Sequence, residues 1–509
     1  MTPAALDLPF QRQPGVLPMW RAPVEAWQWR AAPAQVLAAG GQLLTLWASE
    51  RPAGYAIAAA YALPEGLVWL ELALPGEAPC YPGLEAAFPA AARMQRAQAD
   101  LLGVHADMAD QRPWLSHGCW PAGHYPLRSS AAPVAPGPAD DYPFVPVAGE
   151  GVHEIPVGPV HAGVIEPGHF RFAVVGEKVL RLEQRLGYTH RGIDRLLAGS
   201  EVQRGLRLAG RVAGDSTVAF AWAYCMALES AAGLAVAAPA EALRAVMLER
   251  ERVANHLGDL GALANDAGFA FGLSQFMLLK EAWLRRNGEL FGHRFAMDVL
   301  APGGVARVPP PAAWPQLVQD CLQLERSVRE LHAIYDGHAG LQDRLIATGR
   351  VAPALAARLG LCGLAGRASS QCRDLRCDLP WPPYAALAPR MACHRNGDVA
   401  ARVTVRFEEI EESLRLIRLL CEQLGEQAPQ PAASFTAPQQ GQAIGWVEGW
   451  RGPVLVALEL EGGRIARGHC HDPSWHNWPA LEYAIHGNIV PDFPLINKSF
   501  NLCYAGVDL

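Results

Sequence analysis

A chain of 509 residues, half of them apolar and 18 % charged, is too long for one core of ordinary size and too apolar for disorder, so two or more globular domains are expected. A net charge of −7 with an isoelectric point near 6.2 excludes nucleic-acid binding through a broad excess of Lys and Arg. No uncharged apolar run reaches the ~20 residues that span a bilayer. The longest, 217–228, stops at Glu229, and "MTPAALDLPFQRQPG" lacks the basic start and apolar core of a secretory signal. Eleven scattered cysteines without a C-x-x-C suit a reducing cytosol.

Residues 1–128 mix short apolar runs such as "GLVWLELALPG" with an Ala-rich helical stretch at 86–103, which predicts a small α/β domain. Pro133, Pro136, Pro138, Pro143 and Pro146 then fall in a polar, periodless stretch, so 129–150 reads as an extended linker. Residues 151–509 open with "HFRFAVVGEKVLRLEQRL". Phe170, Phe172 and Val174 alternate up to the turn residue Gly176 and Val179 resumes the run, a hairpin signature. From Thr189 the period is that of helices. Leu243, Val246, Met247, Val253, Leu257 and Leu260 mark one face of a helix over 239–265, with further helices expected over 273–293 and 316–336. Val403, Phe407, Ile410, Leu414 and Ile417 recur at spacings of four and three, and 426–442 reads as a loop. The fold class is therefore α+β: a small N-terminal α/β domain, then a large mainly helical one, a bundle with small hairpin sheets.

Several residues bear on chemistry. "RLAGRVAGDSTVAFAWAY", 207–224, begins almost emptied of side chains at Ala209, Gly210, Ala213 and Gly214, followed by Asp215 and Ser216. Arg211 and Asp215, four apart, would pair for ~0.3–0.5 kcal/mol if exposed. "GHCHD", ending at Asp472, sets soft ligands side by side, but neighbours point to opposite faces, so a polar loop is expected rather than a metal site. His190 and Arg191 before one apolar helix, and Asn255 and His256 inside another, read as hydrogen-bonded structural groups. Glu166, three residues before His169, offers a carboxylate and an imidazole suited to relaying protons.

The segments "GPVHAGVIEPGHFRF", "GYTHRGIDRL", "LERERVANHLGDLGALANDAGF", "HRFAMDVLAPGGV", "GLAGRASS", "NGDVAARVTVRFEEIEESLRLI" and "DPSWHNWPALEYAIHGNIVPDFPLINKSFNLCY" follow one another over 150–509. In that order they resemble the large subunit of membrane-bound, energy-converting nickel–iron hydrogenases of the formate hydrogenlyase and hydrogenase-4 type, which is homologous to the quinone-site subunit of respiratory complex I. "FPAAARMQRAQADLLGV" and "WLSHGCWPAGHYPLR" are similar to the small subunit that accompanies it in complex I, placed here as an N-terminal fusion. The resemblance implies the large-subunit fold and, for the hydrogenase members, a nickel–iron centre held by four cysteine thiolates. In this chain those positions fall on Ala213, Ser216, Cys503 and Gly506, so one thiolate remains and no working centre is expected.

The same resemblance assigns candidate roles. Glu166 matches the proton-passing glutamate, with His169 and His190 as neighbours, and Arg451 matches the arginine beside the metal, although Trp450 replaces a proline. In complex I the cavity holds a quinone gripped by a His and a Tyr; His161 answers to the first, Gly214 falls near the second, and Arg211 and Asp215 complete the candidate cofactor-binding set. The implied partners are an iron–sulfur small subunit and antiporter-like membrane subunits. The implied location is cytoplasmic, peripheral on the inner face of the cytoplasmic membrane through those partners. Three readings follow: an oxidoreductase subunit whose emptied pocket takes a quinone or another small redox partner, with iron–sulfur clusters on a partner; a catalytically silent coupling subunit; and an active hydrogenase, which fails on the ligand count. The first is expected because Glu166, His169, His190 and Arg451 are more polar apparatus than a filler needs.

Overall fold

The computed structural model describes every residue except 1, 2, 4, 5, 77, 136, 139–141 and 162–164, so Pro136 of the expected linker lies outside the described residues. The N-terminal region folds around a five-stranded sheet, β1 (Gln11–Arg12), β2 (Met19–Val24), β3 (Gln42–Arg51), β4 (Gly54–Leu63) and β5 (Gly66–Pro75), in the order β1-β2-β5-β4-β3. Only β2 and β5 run parallel. Helix α1 (Ala26–Ala38) joins β2 to β3, and helix α2 (Ala91–Leu102) packs on β3. The strands read as near-continuous apolar runs because both faces are covered: Ala56, Ala58, Ala59 and Ala60 are all buried. The Ala-rich helix starts five residues later than expected and stops at Gly103, whose φ of +71° supplies the left-handed cap.

Described residues of 129–150 carry neither helix nor strand. They lie along the surface, tied by Arg96 donating to Tyr142 Oη (2.7 Å) and Val145 N donating to Glu183 (2.9 Å). Beyond them β6 (Val152–Val157), β7 (His169–Val175) and β8 (Lys178–Arg185) form an antiparallel sheet, with Gly176 at φ +59° in the turn that the alternation predicted. The bundle follows: α3 (Thr217–Ala232), α4 (Ala238–Asp266), α5 (Ala270–Phe291), α6 (Ala313–Gly337) and α7 (Val399–Glu426), the last capped by Asp398 accepting from Ala401 N. Each spaced apolar series falls within one of these helices. A second antiparallel sheet, β9 (Gln440–Glu448), β10 (Pro453–Glu461) and β11 (Arg464–His471), packs on α3. The chain closes with a short helical turn, α8 (Ala505–Asp508).

One continuous apolar core runs from Leu6 to Leu509. The N-terminal sheet is riveted to the rest across the face of β11. Thr45 Oγ1 shares a hydrogen bond with His469 Nε2 (2.9 Å), His476 Nε2 donates to Leu44 O (2.7 Å), and Arg467 Nε donates to Ala48 O (3.0 Å). The polar loop expected at "GHCHD" is therefore corrected. Residues 469–471 are a fully buried strand, because sequence 400 residues upstream supplies the cover. Among the described residues no three His, Cys, Asp or Glu side chains converge as metal ligands. The expectation of reduced cysteines is also revised: Cys372 and Cys393, 21 residues apart, form a disulfide.

Where α4 faces α7 the interface is polar. Glu249, Arg252, His256 and Asp259 make one stripe, and Arg402, Arg406, Glu409 and Ser413 the other, every one of them buried. Such groups persist in a core only when most of their polar atoms are paired. Glu409 accepts from Arg367 Nη2 (2.6 Å) and His256 Nε2 (2.7 Å); Glu249 accepts from Arg376, from Tyr384 Oη (2.7 Å) and from Ser413 Oγ (2.6 Å); and Asp259 accepts from Arg406 Nη2 (2.8 Å). Arg252 reaches out of this layer to the carbonyls of Glu448 (2.9 Å) and Gly449 (3.1 Å), so the network suspends the loop that follows β9.

Candidate functional site

Two turns face each other across that suspended loop. The first, 213–216, enters α3: Ser216 N donates to Ala213 O (3.1 Å), and Thr217 Oγ1 donates back to Gly210 O, where an added Cβ would lie 3.1 Å from that hydroxyl. The second, 503–506, enters α8: Cys503 N donates to Ser474 Oγ (2.9 Å) and Gly506 N donates to Cys503 Sγ (3.1 Å). Arg451 lies between them. Its Nε donates to Asn501 O (2.6 Å), Nη1 to Asp215 Oδ1 (2.9 Å) and Ser216 Oγ (3.3 Å), and Nη2 to Asp215 Oδ2. Trp450 fills the space beside it, its Nε1 donating to Asp215 O (2.9 Å) and Ser216 Oγ (3.1 Å) while the guanidinium lies 4.0 Å from the ring centroid. Asn501 Nδ2 then donates to Asp259 Oδ1 (2.7 Å), which joins this cluster to the buried stripe of α4.

The electrostatics follow from burial and from that guanidinium. Burial opposes charge on Arg451, but Asp215 outweighs it and holds the side chain cationic. Burial, followed by the nearby Asp472, pushes the Cys503 thiol well up, so it stays protonated. Asp472 is likewise raised by burial; one oxygen accepts from Ser474 N (2.8 Å) and the other, Oδ2, has no hydrogen-bond partner among the described residues. A nickel–iron centre needs anionic sulfur donors. The four positions present one neutral thiol, one hydroxyl already bonded to Trp450 and Arg451, and two residues with no donor, around a fixed cation. The residues present do not fit such a centre.

Asp472 occupies the space that a side chain at Gly506 would need. A Cβ built on Gly506 would lie 2.8 Å from both Cβ and Cγ of Asp472. Gly506→Cys is therefore expected to cost ~1–3 kcal/mol through overpacking, and Asp472→Gly in the same chain, which removes both clashing carbons, to return most of that clash. Urea unfolding of the two single variants and the double checks this; additive losses would mean that the two side chains do not compete.

The structure distributes the other sequence-predicted residues more widely than expected. Glu166 reaches the second turn, its Oε2 accepting from Tyr504 N (3.2 Å) and Ala505 N (3.4 Å). His169, which opens β7, instead donates from Nδ1 to Gly158 O (3.1 Å) and packs on Phe144; burial lowers its proton affinity. Glu166 and His169 thus bond to different partners, the carboxylate to the second turn and the imidazole to the loop carbonyl of Gly158. His161 Nε2 donates to Gly168 O (2.8 Å), inside its own loop. His190 Nδ1 donates to Asp508 O (2.7 Å) with its ring edge-on to Trp120. Arg211 points outward to an exposed pair with Asp298 (2.6 and 2.8 Å), and Asp215 inward to Arg451, so the Arg211–Asp215 pair does not form. A crevice of about 20 Å³ runs beside Gly214, Asp215, Asn255 and Lys280, room for about one water.

Sequence reasoning missed Asp472, Asn501 and the buried network. A signal existed for the last: charges recurring at 249, 252, 256 and 259, spaced as helical neighbours inside an apolar pattern. Glu448, at its rim, is pushed up to about 7 by burial and then by Asp374, Arg367 offsetting only part. A carboxyl raised above its unfolded value of ~4.3 contributes stability that is present below that value and lost as pH rises toward 7. Glu448→Gln is expected to flatten this decline; an unaltered slope in unfolding free energy between roughly pH 4 and 8 would refute it.

Comparison with known proteins gives a consistent setting. The family model described as respiratory-chain NADH dehydrogenase, 49 Kd subunit, matches residues 266–509. The chain is 31 % identical over 442 residues to formate hydrogenlyase subunit 5 of Escherichia coli (strain K12), which covers 84 % of this chain and 77 % of that protein. It is 32 % identical over 439 residues to hydrogenase-4 component G of the same organism, 84 % of this chain and 76 % of that one. In fold it is similar to a chain of the membrane-bound sulfane sulfur reductase, an archaeal respiratory membrane complex, with a TM-score of 0.67 at 23 % identity, over 71 % of this chain and 99 % of that chain.

Proposed function

Because this chain belongs to the family that holds formate hydrogenlyase subunit 5, hydrogenase-4 component G and the 49 kDa-type subunit of respiratory NADH dehydrogenase, we propose that it is a coupling subunit of a membrane-associated oxidoreductase complex, without a redox centre of its own. Electrons pass through iron–sulfur clusters of a partner subunit, and this chain links that partner mechanically to ion-translocating membrane subunits. No helix among the described residues is long and apolar enough to cross a membrane, which is in keeping with attachment through partners.

The observation that carries the reading is the position of Arg451. Its guanidinium and the Trp450 indole take up the space between the two turns where a metal or a quinone headgroup would sit. They convert the site into a clasp that joins α3, the loop after β9 and the closing turn α8. Glu166 adds a fourth strap by accepting from the amides that open α8. This reverses the balance drawn from the sequence, where the retained polar residues favoured a ligand. The polar groups are spent on one another and on backbone.

The test uses the assembled complex from its native host. Nickel is expected far below one atom per complex, and stoichiometric nickel would overturn the proposal. Asp215→Asn, which weakens the clasp, is expected to lower the amount of assembled complex while each assembled complex keeps its turnover. Full assembly with abolished turnover would return the site to ligand or proton chemistry.

A further inference from the structure

We propose that the Cys372–Cys393 disulfide is a thiol–disulfide exchange site for a dithiol reductant, and that its state governs how tightly the segment 371–379 closes a cavity against the N-terminal sheet. The proposal stands independently of the coupling reading. A cavity of about 360 Å³ opens at this seam, with Gly40, Gln42 and Leu63 on one wall and Asp374, Leu379 and Trp446 on the other; Cys372 is on its rim.

The pair is accessible: Cys372 is exposed and Cys393 half-buried. Among the free thiols Cys80 is exposed and Cys119 and Cys377 half-buried, whereas Cys225, Cys321, Cys362, Cys421, Cys470 and Cys503 are buried. A disulfide that only staples a core is sheltered; one offered to solvent can be attacked. An arginine lies close along the chain to each sulfur: Arg373 follows Cys372, and Arg395 is two residues beyond Cys393. Positive neighbours stabilise the thiolate that leaves when the bond breaks.

The exchange balances without any cofactor. One thiolate of the dithiol attacks Cys372 Sγ, the S–S bond breaks, and Cys393 departs as a thiolate that takes a proton from water. The second thiol of the reductant, deprotonated in turn, then attacks the mixed disulfide and releases Cys372, which is likewise protonated. The protein gains two electrons and two protons, and the dithiol becomes a disulfide.

Reduction acts on the seam because of what the segment carries. Arg373 Nη2 donates to Gly40 O (2.6 Å), a bond between the two walls of the cavity. One residue further, Asp374 and Arg376 are locked together (2.7 Å), and Arg376 is held by Glu249 (3.0 Å) in the buried network. Ser370 N donating to His394 O (2.7 Å) and Cys377 Sγ donating to Pro389 O (3.3 Å) also survive loss of the disulfide. Gln371 N donating to Gly366 O (2.9 Å) and Arg367 Nη1 donating to Arg373 O (3.0 Å) hold the backbone on either side of Cys372, so reduction frees Cys372 itself and the side chain of Arg373, and the cavity loosens at that point. The opening is local, not an unfolding.

The experiment equilibrates the intact native protein in buffers of graded reduced-to-oxidised dithiothreitol, alkylates it with iodoacetamide and reads each cysteine by peptide mass spectrometry. Hydrogen exchange is followed in parallel. Cys372 and Cys393 are expected to become alkylated together without denaturant while Cys225 and Cys503 stay protected, and residues 40–42 and 372–373 to lose exchange protection on reduction. Alkylation of both before reduction, reduction only after denaturation, or unchanged exchange would each overturn the proposal. Cys372→Ser is expected to exchange like the reduced protein and to ignore dithiothreitol; Cys393→Ser serves the same purpose if the first variant does not fold, and the wild-type titration decides the matter if neither does.

Discussion

Arg367→Met is expected to destabilise the protein by ~3–5 kcal/mol, the penalty for stranding buried charges. Arg367 is fully buried. It donates to Glu409 through Nε (2.9 Å) and Nη2 (2.6 Å) and to Glu448 (3.0 Å) and Arg373 O (3.0 Å) through Nη1, with Asp374 at 3.7 Å. Methionine matches its length but leaves three carboxylates without that countercharge. The pH dependence carries the proof. Burial alone would raise Glu409, but Arg367 and His256 outweigh it and hold the carboxyl well below its usual range. A depressed carboxyl contributes stability that is present above the unfolded value of ~4.3 and lost as pH falls through the folded value. In the variant burial prevails, so its deficit should be greatest near neutrality and shrink in acid as the stranded groups take up protons. Urea unfolding over a pH series reads this; a deficit independent of pH would mean that lost packing, not lost charge, is responsible.

Gly363→Ala should cost about 3 kcal/mol, although it adds a single methyl group. Gly363 adopts φ +56°, and a Cβ there would lie 1.8 Å from Arg451 O and 2.5 Å from Gly452 Cα. The left-handed backbone accounts for ~1–2 kcal/mol in a residue with a side chain, and displacing the Trp450–Arg451 loop for a further ~1–3 kcal/mol. Gly288→Ala is the control. It sits in α5 with nothing within 4 Å of the added carbon, and should gain ~0.5–1 kcal/mol from helix propensity. Comparable thermal midpoints for the two variants would show that close approach at Gly363 does not position Arg451.

The bundle was legible in the sequence because each helix declares its own buried face: the series Leu243 to Leu260 and Val403 to Ile417 need no partner to be recognised. The strand "RIARGHCH" was not legible as buried, since its cover comes from Leu44, Thr45 and Ala48. The site divides in the same way. Asp215, Ser216, Arg451, Cys503 and Gly506 do meet around one point, and Glu166 reaches its edge. The partners of His169, His161 and Arg211 were not legible, because sequence gives no direction for a side chain: His169 bonds to Gly158 O, His161 to Gly168 O, and Asp298, 87 residues away, pairs with Arg211. That Trp450 fills rather than lines the site depends on its two hydrogen bonds, which no spacing encodes.

The rivets between the N-terminal sheet and β11 impose an order on synthesis. Thr45 waits for His469, 424 residues later, and Ser49 for Glu459, 410 residues later. At a ribosomal pace of about 5–20 residues per second, that is roughly 20–80 s during which the sheet stands without its cover. A nascent chain of this design exposes the apolar, alanine-rich surface of its first domain for most of its own translation. It should depend on chaperones that shield strand surfaces far more than on any catalyst of late folding.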